Sequence, residues 1–384
     1  MNSTWWRKPE QLDDAQRAFI QLPISGRYLL EGPPGSGKTN LLLLRAQYIA
    51  GAGEKNVLIL TFTKTLANFI RSGIAVSGLI SPTQVRTFHS WAYEHARDHD
   101  AVLPMGAEDD FGSETREKML KAVCEANKKL VTPKPYSAIF VDEAQDFSVE
   151  ELEALLCLSD KVCICGDVRQ GIYKQDGLDV AVKLNLERHV LTAHYRIGQA
   201  IAHVADRLIS PESDKAGLEE LSNYNSKVQG KSSAEMHALP DRDAQFVRMV
   251  ELLRIQLDAF KGEPIGILCG KRETLLELKQ RFEMTDLAQL VCVHGLDADA
   301  MFGDGRLVHI LTMHSAKGTE FRAVHLYGTE ELKGFGLNHR QLGYTAITRA
   351  RTALNAYRTG DTNKPLETAF ATPSVMPLAG LFPE

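Results

Sequence analysis

The stretch Glu31-Gly-Pro-Pro-Gly-Ser-Gly-Lys-Thr39 has the residue types and spacing to wrap a chain of phosphates. Glycines at 32, 35 and 37 let successive backbone N–H groups turn inward, with Pro33, Pro34 and Ser36 completing the loop. A helix expected from Asn40 to Ala50 adds its positive end. Lys38 is then placed to reach β- and γ-phosphates, and Thr39 to hold Mg²⁺. A second chemical pair lies at Asp142-Glu143, two carboxylates ending the apolar run Ile139-Phe-Val. Asp142 suits Mg²⁺, and Glu143 suits proton abstraction from an attacking water.

Two further groups fit the same chemistry. Gln170, in Gly166-Asp-Val-Arg-Gln170-Gly-Ile-Tyr173, can donate to a γ-phosphate oxygen while accepting from the lytic water. Thr192-Ala-His-Tyr195-Arg196 and Tyr344-Thr-Ala-Ile-Thr-Arg349-Ala-Arg351 each offer arginine near an apolar element. A guanidinium neutralises transition-state charge without losing its proton, and one arriving from another domain acts only when the cleft is closed.

These groups need a scaffold that aims strand ends at one place. Short apolar runs alternate with longer helical segments: Tyr28 to Leu30, Val57 to Thr61, Ala138 to Val141 and Lys161 to Cys165, then Ile265 to Cys269, Leu307 to Thr312 and Ala323 to Tyr327. That is a parallel α/β pattern occurring twice. The expected division is residues 1–182, 183–360 and a tail at 361–384, extended or mobile. A small charged insertion is expected at about 98–135, and Ser210 to Asp243 reads as polar loop or decorated helix.

With 384 residues, 44% of them apolar, the chain can build two cores. No run approaches the roughly 18 apolar residues that cross a bilayer, and the first ten residues have no signal-peptide core, so the expected compartment is cytoplasmic with no membrane partner. The six cysteines show no metal-ligand spacing and read as buried thiols. A net charge of −5 excludes coating of nucleic acid by bulk attraction and leaves room for a local basic groove.

The ordered set of motifs resembles superfamily 1A helicases, the group of UvrD, Rep and PcrA. Leu12 to Gln16 is similar to the adenine-reading Q motif, Gly32 to Thr39 to motif I, and Thr61 to Lys64 to motif Ia. Thr87 to Ser90 resembles motif Ib, Val141 to Asp146 motif II, and Gly166 to Tyr173 motif III. His194-Tyr195-Arg196 resembles motif IV, with histidine where asparagine is usual, and Gly266 to Arg272 motif IVa. Thr312 to Phe321 resembles motif V, and Leu342 to Arg351 motif VI.

The resemblance implies two tandem RecA-like domains with ATP and Mg²⁺ between them. It implies that Gln16 and Tyr195 meet the adenine, that Gly318 and Glu320 border the nucleotide with Glu320 on the ribose, and that Arg196 and Arg349 are the two γ-phosphate arginines. On the nucleic-acid side it implies contacts from Phe62, Lys64, Thr87, Phe88, His89, Tyr173, His314 and Ser315. The partner is then single-stranded DNA or a tailed duplex, ahead of RNA, with 3′ to 5′ movement.

Two departures matter. Only Glu94 to Ala138, and little beyond Lys271 to Arg306, stand where the family carries large accessory domains. Lys174-Gln175-Asp176 follows Tyr173 where the family usually has a stacking tryptophan. The favoured expectation is a compact ATP-driven translocase or helicase. The alternative is an ATP-gated nucleic-acid-binding or switch subunit of a larger complex, for example one holding a nuclease. A small-molecule enzyme gives motifs Ia, Ib and V no purpose.

Overall fold

The computed structural model describes residues 6–74, 77–103, 113–167, 177–211, 215–298, 300–332, 337–361 and 363–371. Gln170, Tyr173 and Lys174 to Asp176 lie outside them. The first sheet contains β1 (Arg27–Glu31), β2 (Val57–Thr61), β3 (Val85–Thr87), β4 (Ala138–Val141), β5 (Val162–Gly166) and β6 (Glu187–Val190), ordered β3-β2-β4-β5-β1-β6. The second contains β7 (Ser233–Leu239), β8 (Ile265–Cys269), β9 (Val291–Val293), β10 (Val308–Thr312), β11 (Phe321–Tyr327) and β12 (Ala350–Thr359), ordered β7-β12-β11-β8-β10-β9.

Every pairing within both sheets is parallel. Helices cover both faces of such a sheet, so its central strands must be apolar along their whole length rather than alternating. β2, β4, β5 and β8 are buried at every residue. The α/β class with two RecA-like sheets therefore agrees with the expectation.

The differences fall where strands are short or polar. β6 pairs with β1, so the first sheet runs past residue 182, where the sequence had placed the division. β7 lies inside the stretch expected to be loop, because this edge strand only half-buries its residues and keeps several polar. The expected tail begins with a helix, Lys364–Phe370, whose Leu366 and Ala369 are buried; Pro365 sits in its first turn, where a missing N–H costs nothing. Two cysteines are not buried: Cys124 and Cys157 are exposed, while Cys163, Cys165, Cys269 and Cys292 are buried. Cys124 lies on the outer side of the helix Ser113–Lys128 and Cys157 at the end of the helix Val149–Leu156, positions that neighbouring hydrophobic residues in sequence do not reveal.

Candidate functional site

Carboxyl ends of parallel strands leave a crevice, and a helix that starts there points its N-terminus into it. β1 feeds the loop from Gly32 to Gly37, and the helix Lys38–Gly51 follows at once. Gly37 caps that helix with φ 90°, a left-handed conformation that a side chain would oppose. The cleft is lined by Pro34, Gly35, Gly37, Lys38, Thr39, Asn40 and Glu143 from the first half, and by Arg196, Gly318, Glu320 and Arg349 from the second. Trp6 and Phe69 complete its wall, with their rings stacked at 4.7 Å.

Most of the expected nucleotide residues meet here, each already engaged. Lys38 Nζ donates to the carbonyls of Gly32 at 2.8 Å and Pro33 at 3.1 Å. Arg196 forms an ion pair with Glu320. Arg349 is buried and donates to the carbonyls of Thr345 at 2.9 Å and Thr319 at 3.2 Å. Gln16 and Tyr195 flank an adjoining hollow with Arg7, Leu12, Ser36 and Asn40. Gln16 Nε2 donates to Ser36 O at 3.0 Å, the Tyr195 hydroxyl donates to Asp13 Oδ2 at 2.7 Å, and the Arg7 guanidinium lies 5.3 Å from the Tyr195 ring centre. Sequence reading missed Arg7 and assigned Trp6 no part in the cleft. Only its stacking on Phe69 and place in the cleft show otherwise.

The acidic pair ending β4 is buried. Burial, followed by the neighbouring Glu143 charge, raises the Asp142 pKa from 3.8 to about 6. Burial also pushes Glu143 upward, but Lys317, Arg349 and Lys38 outweigh it and hold its pKa below the usual range. Glu143 adopts φ 55° and ψ 46°, a strained conformation for a residue with a side chain. Gln145 donates to Glu143 and accepts from the Asp167 N–H at 3.1 Å, linking the ends of β4 and β5. Asp142 Oδ2 is buried without a hydrogen-bond partner, and Thr39 acts on the same carboxyl. A hard cation with oxygen ligands fits that orphaned atom.

A second concavity, of about 720 Å³, is lined by residues that follow β2, β3 and β10. Phe62, Lys64, Thr87 and His89 line it from the first half, and His314 and Ser315 from the second. Tyr93, Arg97, Arg116 and Arg272 join them, unanticipated as contacts. Phe88 is a correction. It is 7% exposed and packs against Trp91 and Phe147, because the helix Phe88–Asp98 turns that position inward while its neighbour His89 faces the groove. Thr87 also caps this helix, accepting from the Ser90 N–H at 3.2 Å. Arg116 lies 5.1 Å from the Phe62 ring centre, so one face of that ring is already in contact with a cation.

The segment from Thr312 to Glu320 joins the two concavities. His314 and Ser315 stand in the groove, and Gly318 and Glu320 in the cleft. Between them the buried Lys317 reaches across to Asp146, with Nζ 2.8 Å from Oδ1. Gly318 has φ 77°, and a Cβ there would stand 2.4 Å from Leu66 Cδ1 of the first half, so the chain crosses at a point where no side chain fits.

Residues 307–357 match the family model described as UvrD-like helicase C-terminal domain, and residues 16–176 match an AAA domain model. The first spans β10, β11, the helix Leu337–Ile347 and most of β12, and the second the phosphate loop through the end of β5. The C-terminal stretch thus resembles UvrD-like helicases. No curated protein matches this chain in sequence. Among solved structures, it is similar to one titled the structure of PRRSV helicase, at 17% identity and a TM-score of 0.40, over 90% of this chain and 54% of that one. This chain thus spans about half the length of that protein. Among its described residues, no helix is long and apolar enough to cross a membrane.

Proposed function

We propose that this UvrD-like chain is an ATP-driven translocase or helicase on single-stranded DNA. One observation carries the reading: the nucleotide cleft and the 720 Å³ groove are each lined from both halves of the chain and share the segment Thr312 to Glu320. A change in the separation of the two sheets alters both concavities together, which is the requirement for converting hydrolysis into movement along a strand.

Within the cleft, Lys38 exchanges its bonds to Gly32 and Pro33 for the β- and γ-phosphates, and the backbone from Gly32 to Thr39 cradles them. Asp142 Oδ2 and Thr39 would hold Mg²⁺, which supplies charge neutralisation across the phosphates when bound. Glu143, kept ionised by the cations around it, accepts a proton from the attacking water. Arg196 leaves Glu320 to meet γ-phosphate charge together with Arg349, freeing Glu320 for the ribose. Gln16 and Tyr195 hold the base, with Arg7 moving from the ring of Tyr195. Gln170 is assigned the γ-phosphate sensor role on sequence grounds.

In the groove, Phe62, His89 and Tyr93 offer ring faces for bases, and Lys64, Arg97, Arg116, Arg272, His314 and Ser315 offer donors to the backbone. Stacking of this kind contributes about 1–3 kcal/mol per base and ignores sequence, as movement requires. Movement from 3′ to 5′ follows from the family resemblance. ATP turnover by the isolated chain, with and without single-stranded DNA, tests the reading alongside displacement of a tailed duplex. Strand-stimulated turnover with displacement is the expected result. Turnover indifferent to any strand overturns it, and stimulation that needs an added protein partner assigns the chain to a switch subunit instead.

A further inference from the structure

Far along the sequence from the phosphate loop, β9 and β10 run side by side at the edge of the second sheet, with Cys292 paired in register with His309. His294 follows Cys292 by two residues, so alternation along the chain returns it to the same face. Cys292 is fully buried, His309 is 1% exposed and His294 5%. Cys292 Sγ stands 3.7 Å from His294 Nε2, which stands 3.0 Å from His309 Nδ1, and all three atoms lie within 4.8 Å of one another.

Three soft or borderline donors thus form a triangle, two sides of which are also hydrogen-bond contacts. A zinc ion with ordinary Zn–N and Zn–S bonds holds its donors roughly 3.3–3.8 Å apart, close to the two spacings seen here. Phe302 covers the triangle, its ring 4.4 Å from His294 and 4.9 Å from His309, while Phe321 lies 6.0 Å from His309. Asp297, Asp304 and Arg306 act electrostatically on His294 from the following loop. The two carboxylates offset a dication held by one thiolate and two neutral imidazoles, and Arg306 opposes it.

We propose that Cys292, His294 and His309 bind one thiophilic metal ion, zinc before copper(I), as a structural site bracing the edge of the second sheet. Binding releases the Cys292 thiol proton to solvent and involves no change in oxidation state. No short stretch of residues announces it, because the ligands Cys292 and His294 have an ordinary strand spacing and the third comes from a neighbouring strand. Its consequence reaches the cleft. Phe302 packs edge-on against Phe69 of the first half at 5.5 Å, and Phe69 stacks on Trp6 in the nucleotide-cleft wall. An ion beneath Phe302 therefore fixes an aromatic contact that both halves share.

The test uses the full chain, purified, stripped with a chelator, and titrated with zinc, copper(I) or cobalt(II), with metal per chain measured by mass spectrometry. Uptake of one zinc or copper(I) ion is expected, with a thiolate-to-metal charge-transfer band on cobalt loading. Cys292→Ala should lose both the ion and the band. Cys124→Ser/Cys157→Ser, which removes the exposed thiols, should keep both. Zinc uptake without copper(I) identifies the ion as zinc, and the reverse as copper. A folded wild-type chain that takes up neither overturns the proposal, as does loss of the ion in the Cys124/Cys157 variant; the wild-type titration decides even if Cys292→Ala does not fold.

Discussion

At the residue scale, two adjacent carboxyls at one strand end are pushed in opposite directions. Glu143 sits among cations and stays charged, so Glu143→Gln should lower ATP turnover by about 10²- to 10⁴-fold while fluorescent-nucleotide binding persists. Normal turnover by that variant would remove Glu143 from the assignment. Asp142 is raised to about 6, so between its ordinary value and that one the folded chain binds more protons than the unfolded chain. Stability contributed by its protonated form is present at low pH and is lost as pH rises through that window. Asp142→Asn should accordingly raise Tm without added Mg²⁺, by about 1–3 kcal/mol equivalent at neutral pH and by much less in mild acid. A gain of equal size at both would show that the carboxyl ionises normally in the fold.

At the scale of elements, the helix Phe88–Asp98 divides its labour by face. Phe88, Trp91, Ala92, His95 and Ala96 point into the core, while His89, Ser90, Tyr93 and Arg97 line the groove. Phe88→Ala should cost about 3–5 kcal/mol in chemical unfolding, the cost of truncating a buried aromatic. The exposed Lys64, at the start of the helix Lys64–Ile74, should behave differently. Lys64→Ala should leave stability near wild type and weaken single-strand binding, lowering the salt slope of log K by about 0.7. An unchanged slope would take Lys64 out of contact with the phosphates.

At the scale of the whole molecule, Lys317 and Asp146 form a buried pair between the two halves, 171 residues apart. Removing one member leaves the other charge stranded in the interior, so Lys317→Met should destabilise by about 3–5 kcal/mol. Asp146→Asn added to it should recover much of that loss, since burial already raises the Asp146 pKa to about 6 and a neutral side chain suits the site. A double variant no better than the single would show that Lys317 acts through other contacts. Because Lys317 stands between the groove residues His314 and Ser315 and the cleft residues Gly318 and Glu320, Lys317→Met should also reduce stimulation of ATP turnover by a strand, measured against its own basal rate.

The chemistry written in consecutive residues was legible from the amino-acid sequence alone. A phosphate loop depends on backbone curvature that Gly35 and Gly37 permit locally, and a parallel strand declares itself by being apolar on both faces, as β2 and β4 do. Tertiary structure decided what depends on which face is covered and which strands are neighbours. Phe88 and His89 are adjacent in sequence and opposite in surroundings, and β7 looks like loop because it lies at a sheet edge. Lys317 meets Asp146, and Cys292 meets His309, only through packing and strand register. Such contacts are set by the free energy of burying whole elements together, which no short window of sequence contains.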